Sequence, residues 1–243
     1  MNSPTNSERP ATPGRLRDLI FRGQDIYAGL APDPTKVDMQ GWGSDHGIFA
    51  YCIERLQPKL IIEVGSWKGR SAINMARAMQ DFGMDGEILC IDTWLGSPEH
   101  WLADGAVEAW RSSLGIVHGY PTLYNTFLNN VVASQCQRII TPLPLPSESA
   151  FFVLQRLGVK APIIYIDAGH EYESVSRDIA LYWQLLAPDG VMILDDYITF
   201  PGVTRAATEF ALREGIPLIG EPGKAVLTRN ASLSITTKII VDE

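Results

Sequence analysis

The 243-residue sequence predicts a doubly wound α/β domain, a mostly parallel seven-stranded sheet with helices on both faces. Short runs rich in Ile and Val alternate with helix-length stretches, the pattern of a parallel sheet covered on both sides. Three of those runs end in an acid, and in such sheets ligands bind beyond the carboxyl ends of the strands. An apolar content of 46% and a charged content of 20% fit an ordinary globular unit with a sizeable core.

Residues 1–13 are polar and proline-rich and are expected to be a disordered tail. The rest, 14–243, reads as one domain. A short helix over 14–22 precedes a loop over 23–44 rich in Gly, Pro and Asp. Helical spacing of Ile48, Phe49, Cys52, Ile53 and Leu56 predicts a helix over 46–57, capped by Asp45 and stopped by Pro58. The segment 14–57 is thus an N-terminal helical segment.

Strands and helices then alternate. Strands are predicted over 60–64 and 87–91, with a helix over 70–80 between them. Residues 93–136 form a Trp-bearing insertion near the cleft, with two helices. A third strand is expected over 138–141, and prolines 142, 144 and 146 make the next stretch an extended loop. Ser147 caps a helix to about 157. A strand over 162–166, a helix over 171–186, a strand over 191–194 and a helix over 202–213 follow, then two or three C-terminal strands.

The formal net charge is −8 and no basic cluster is present, which argues against nucleic acid. No apolar stretch approaches the ~20 residues of a membrane span, and no secretory signal is visible. Cys52, Cys90 and Cys136 are scattered, and they read as buried free thiols in a reducing, cytoplasmic setting.

In the stretch Ile61-Ile62-Glu63-Val64-Gly65-Ser66-Trp67-Lys68-Gly69-Arg70-Ser71, glycines at 65 and 69 allow a sharp turn and bare backbone against a ligand. Glycines alone describe a tight strand-to-helix turn equally well. Asp92 ends the next strand 23 residues after Gly69, the placement of an acid that binds ribose hydroxyls. Neither GxxxxGK[ST] nor GxGxxG is present, so the pattern suits a ribose-bearing ligand without a pyrophosphate.

Glu63-x-Gly65-x-x-x-Gly69 followed by Asp92 resembles the S-adenosylmethionine site of class I methyltransferases, which have a Rossmann-like fold. The resemblance implies that Glu63, Gly65, Ser66, Gly69, Ser71 and Asp92 line the cofactor site. Trp94 or the loop Leu145-Pro146-Ser147 would flank the adenine, and Asp167 would border the cofactor as well.

Asp167 ends the fourth strand with His170 three residues on, and Asp195 and Asp196 end the fifth. Neighbouring parallel strands would bring three carboxylates into one small volume, where their repulsion calls for a proton, a cation or a metal. Oxygen ligands suit Mg²⁺, Ca²⁺ or Mn²⁺. Side chains alternate along a strand, so the competing reading has one of the adjacent acids facing the metal and the other capping a loop or helix. His170, with a reference pKa near 6.5, suits a base at neutral pH.

This block is similar to the metal-dependent small-molecule O-methyltransferases, closest to the macrocin-type sugar enzymes of the methyltransferase domain family numbered 24. That likeness implies Mg²⁺ on Asp167, Asp195 and Asp196, with Asp167 and His170 catalytic. The partner is then a small-molecule hydroxyl acceptor, with no nucleic acid or membrane, and a homo-oligomer stays open. The competing readings are a cephalosporin-hydroxylase-like iron enzyme of the same sequence neighbourhood, a nicotinamide oxidoreductase, and a non-catalytic binder of S-adenosylmethionine.

Overall fold

The computed structural model describes residues 15–102, 108–221, 223–230 and 233. The expectation for residues 1–13 and part of the Trp-bearing insertion lie outside the described residues. The chain runs α1 (Leu16–Phe21), α2 (Gly47–Leu56), β1 (Leu60–Val64), α3 (Arg70–Asp81) and β2 (Glu87–Ile91). It continues through α4 (Pro98–Trp101), α5 (Glu108–Ser113), α6 (Leu123–Ala133), β3 (Ile140–Leu143), α7 (Ser147–Arg156) and β4 (Ala161–Ile166). Then come α8 (Tyr172–Tyr182), β5 (Leu186–Tyr197), α9 (Pro201–Glu214), β6 (Leu218–Glu221) and β7 (Gly223–Thr228).

One sheet holds seven strands in the order β3-β2-β1-β4-β5-β7-β6. The first five pair in parallel, and β7 is antiparallel to both its neighbours. The mostly parallel sheet expected from the sequence is therefore what forms, with an antiparallel hairpin at one edge. Alternate residues of each strand face opposite sides. Ile61, Ile88, Ile163 and Val191 pack with α2, α3 and α6. Ile62, Leu89, Ile164 and Met192 pack with α7, α8 and α9. Both faces are covered, which is why these strands read as unbroken apolar runs. Each such side chain contributes about 1.5–3 kcal/mol by leaving water.

Local details differ from the sequence reading. The α2 cap is His46 rather than Asp45, its ring accepting from the Ile48 amide at 3.2 Å. The third strand lies at 140–143 instead of 138–141 and includes Pro142. That strand is at the sheet edge with a single partner, β2, so a missing N–H is tolerated. Helix α7 begins at Ser147 itself, with Pro146 as its cap. The Ser147 hydroxyl turns instead to Asp178 at 2.7 Å.

The chain builds outward from β1 to β3 and then returns to place β4 on the other side of β1. That reversal opens a crevice beyond the strand tips. Gly65 adopts φ +87°, and a Cβ there would sit 1.8 Å from the Asp167 carbonyl oxygen, so only glycine lets the two strand ends meet.

Candidate active site

A cavity of about 460 Å³ occupies this crevice. Its floor is the turn from β1 into α3. Asp92, at the tip of β2, accepts from the Ser66 and Trp67 amides at 2.9 and 2.8 Å on one oxygen and from the Trp94 amide at 2.7 Å on the other. The acid thus holds the turn and still borders the cavity. Glu63 lies beneath it, fully buried. Its two oxygens accept from the Ser66 and Ser71 hydroxyls, each at 2.5 Å. Burial raises the Glu63 pKa, and the two serine hydrogen bonds partly offset that rise.

At the tips of β4 and β5 a second set of groups converges. One atom each from Asp167, His170 and Asp196 lies within 4.8 Å of the others. His170 Nε2 is 3.0 Å from Asp196, and Nδ1 is 3.8 Å from Glu99 on α4. The His170 ring stacks on Phe200 with centroids 4.0 Å apart. Burial lowers the His170 pKa, but the hydrogen bond and charge of Asp196, with Glu99 and Glu171, outweigh it and raise the pKa above the ordinary histidine value.

Asp195 sits beside this group and is committed elsewhere. Lys224 of β7, its cross-strand partner, pairs with one oxygen, which also accepts from the Asp196 amide at 2.7 Å. The Tyr165 hydroxyl reaches the other oxygen and lies 2.9 Å from Asp167. Lys224 is 1% exposed. Burial raises the Asp167 pKa, and the neighbouring Asp195 charge raises it further. Adjacent side chains of a strand point apart, and here the second acid also leaves the ladder. Asp196 has φ +57°, and the β5–β7 register shifts between Asp195 and Tyr197.

The profile of a methyltransferase domain family, number 24 of its series, matches residues 62–197, more than half of the chain. The chain belongs to that methyltransferase family. No curated protein matches it. Among solved structures, the methyltransferase is similar to the O-methyltransferase TomG from Streptomyces achromogenes, involved in tomaymycin synthesis and bound to S-adenosylmethionine. That pair shares 14% identity and a TM-score of 0.55, covering 87% of this chain and 94% of TomG. An O-methyltransferase from Bacillus cereus, in complex with S-adenosylhomocysteine, aligns at 12% identity and a TM-score of 0.54, covering 84% and 95% of the two chains. The calicheamicin methyltransferase CalS11 aligns at 18% identity and a TM-score of 0.55, covering 75% and 76%. These likenesses share the Rossmann-like methyltransferase fold.

Most of the residues singled out from the sequence border the methyltransferase's cavity: Gly65, Ser66, Ser71, Asp92, Ser147, Asp167, His170, Asp195 and Asp196. Three do not. Glu63 is sealed below the turn and acts on the two serines. Gly69 packs against the Phe127 ring, which a Cβ would meet at 2.9 Å. Trp94 is core, its ring against Phe127 and Tyr124 and its Nε1 donating to the Trp67 carbonyl at 2.8 Å. An indole tied down on every side has no face left for an adenine. The expected triple-carboxylate set becomes two acids and a histidine, since Lys224 neutralises Asp195.

Sequence reasoning missed Tyr165, Glu99, Lys224 and Asp178. Tyr165 carries a signal, a hydroxyl two residues before a strand-end acid and so on the same face. Lys224 and Asp178 carry none. Asp178 is 3% exposed in the middle of α8, and burial raises its pKa from 3.8 to about 6, although the Ser147 hydrogen bond pulls the other way. A carboxyl with a raised folded-state pKa weakens the fold above that pKa. Asp178→Asn is therefore expected to stabilise the ligand-free protein at neutral pH by roughly 1–3 kcal/mol. That gain should shrink as the pH falls from about 6 toward the ordinary carboxylate range. Urea titrations across that range read it directly, and an Asn variant less stable at every pH would contradict it.

Among the described residues no helix is long and apolar enough to cross a membrane. Cys52, Cys90 and Cys136 are free and buried.

Proposed function

We propose that this methyltransferase uses S-adenosylmethionine to methylate a hydroxyl of a small molecule such as a sugar or natural product. One observation carries the reading. A nucleoside-type turn with its acid, Asp92, shares one cavity with a base, His170, whose Nε2 is held by an acid. The acceptor oxygen attacks the sulfonium methyl, the carbon–sulfur bond breaks with its electron pair staying on sulfur, and the hydroxyl proton passes to His170. Asp196 holds Nε2, so Nδ1 is the nitrogen that takes the proton. This is general-base catalysis on a substrate whose methyl donor is already reactive. O-Methylation and a natural-product acceptor are also what the names of TomG and CalS11 suggest.

Asp167 and Asp196 would hold a divalent ion, Mg²⁺ or similar, with His170 in reach and Asp195 excluded by Lys224. Such an ion supplies a lower pKa for a coordinated acceptor hydroxyl. Two carboxylates, with His170 kept as the base, differ from the two-histidine, one-carboxylate set of non-haem iron oxygenases, which supports methyl transfer over hydroxylation.

Calorimetry with S-adenosylmethionine, S-adenosylhomocysteine and NADH tests the cofactor. Both sulfur nucleosides should bind and NADH should not. Silence from both would remove the reading. Excess chelator should lower turnover by about 100-fold or more, with recovery on adding Mg²⁺. Undiminished turnover would take the ion out and leave the His170–Asp196 pair to accept the proton alone.

A further inference from the structure

We infer that Asp178 reads the exocyclic amine of the cofactor's adenine, so that the cleft selects an adenosyl over a 6-oxopurine nucleoside. The assignment rests on the cofactor reading above and names a contact that reading leaves open.

The sheet order sets out the cavity from one end to the other. The reacting groups stand on β4 and β5, the glycine turn on β1, Asp92 on β2 and the loop Leu145-Pro146-Ser147 after β3. A nucleoside with its sugar at Asp92 and its reactive end toward Asp167 and His170 extends its base to the β3 side. The wall there is apolar at Ile91, Leu145 and Pro146, which suits the faces of a purine. Among the polar groups lining the cavity are Ser147 and Asp178.

Asp178 is held for such a role. Its Oδ1 accepts the Ser147 hydroxyl proton at 2.7 Å, and among the described residues Ser147 is its hydrogen-bond donor. Tyr182, one turn further along α8 and itself buried, donates to the Ser147 carbonyl at 2.8 Å and fixes that residue from below. A carboxylate only accepts, and with one oxygen on the Ser147 hydroxyl the other is open to a donor from a ligand in the cavity that Asp178 borders. Adenine presents an N–H at its 6-amine. A 6-oxopurine presents a carbonyl at the same point, and the two oxygens repel. The raised pKa of Asp178 marks a buried charge that the fold alone offsets poorly.

Calorimetry on the full chain with S-adenosylhomocysteine and S-inosylhomocysteine decides it. Wild type should bind the adenosyl form about 10–100-fold more tightly. The isosteric Asp178→Asn variant, whose amide can turn either its oxygen or its N–H₂ to the base, should bring the two affinities within about threefold of each other. A purely structural role would weaken both ligands together and preserve the ratio. Equal binding by wild type, or an Asn variant that keeps the full preference, would overturn the assignment while leaving the cofactor reading intact. Failure of wild type to bind S-adenosylhomocysteine at all would remove the cofactor reading, and this contact with it.

Discussion

His170→Ala should lower turnover at neutral pH by about 10²–10⁴-fold, with S-adenosylhomocysteine affinity nearly unchanged. Deleting the proposed proton acceptor removes a transition-state interaction and spares the turn around Asp92, where the proposed cofactor binds. The wild-type rate should rise with pH through a pKa above the ordinary histidine value, because Asp196 and Glu99 favour the protonated ring. Asp196→Asn removes the main source of that preference, so the rising limb should move to lower pH even as the rate falls. Steady-state rates across pH, with any hydroxyl acceptor that wild type methylates, measure both effects. A pH profile identical in wild type and the Asn variant would rule out His170 as the group that titrates.

Lys224→Met should destabilise the protein by about 3–5 kcal/mol, because it leaves the Asp195 charge buried without its cation. Both side chains are nearly sealed from solvent, Lys224 at 1% and Asp195 at 9% exposure. The Tyr165 hydroxyl and the Asp196 amide still reach Asp195, but neutral donors offset a buried charge only in part. The double variant Asp195→Asn/Lys224→Met should recover most of the loss, since replacing both partners of a buried pair is far milder than removing one. Urea denaturation of the two single variants and the double variant gives the coupling. Additive losses would mean that the pair is not what neutralises Asp195.

Much of this was legible in the sequence, and the part that was not has a common cause. The parallel strands announced themselves because burial on both faces demands apolar residues at nearly every position. The turn at 65–69 and Asp92 were legible because a strand-to-helix turn and its acid lie close along the chain. His170 and Asp167 were legible for the same reason, three residues apart at one strand end. Trp94 was misjudged because a tryptophan near a cleft and one beneath it look alike until the packing around Phe127 is seen.

The apolar periodicity of the chain by itself determined the sheet and which strand ends would carry acids. Local spacing determined that a glycine turn, held by the acid of the next strand, stands on the first of them. Only the tertiary structure decided what each acid faces. Lys224 follows Asp195 by a helix and a strand, and meets it because β7 returns antiparallel beside β5. Asp178 meets Ser147 because α8 packs against α7. Hydrophobic pattern is written along a chain, but the neutralisation of a buried charge depends on which distant segment folds back against it.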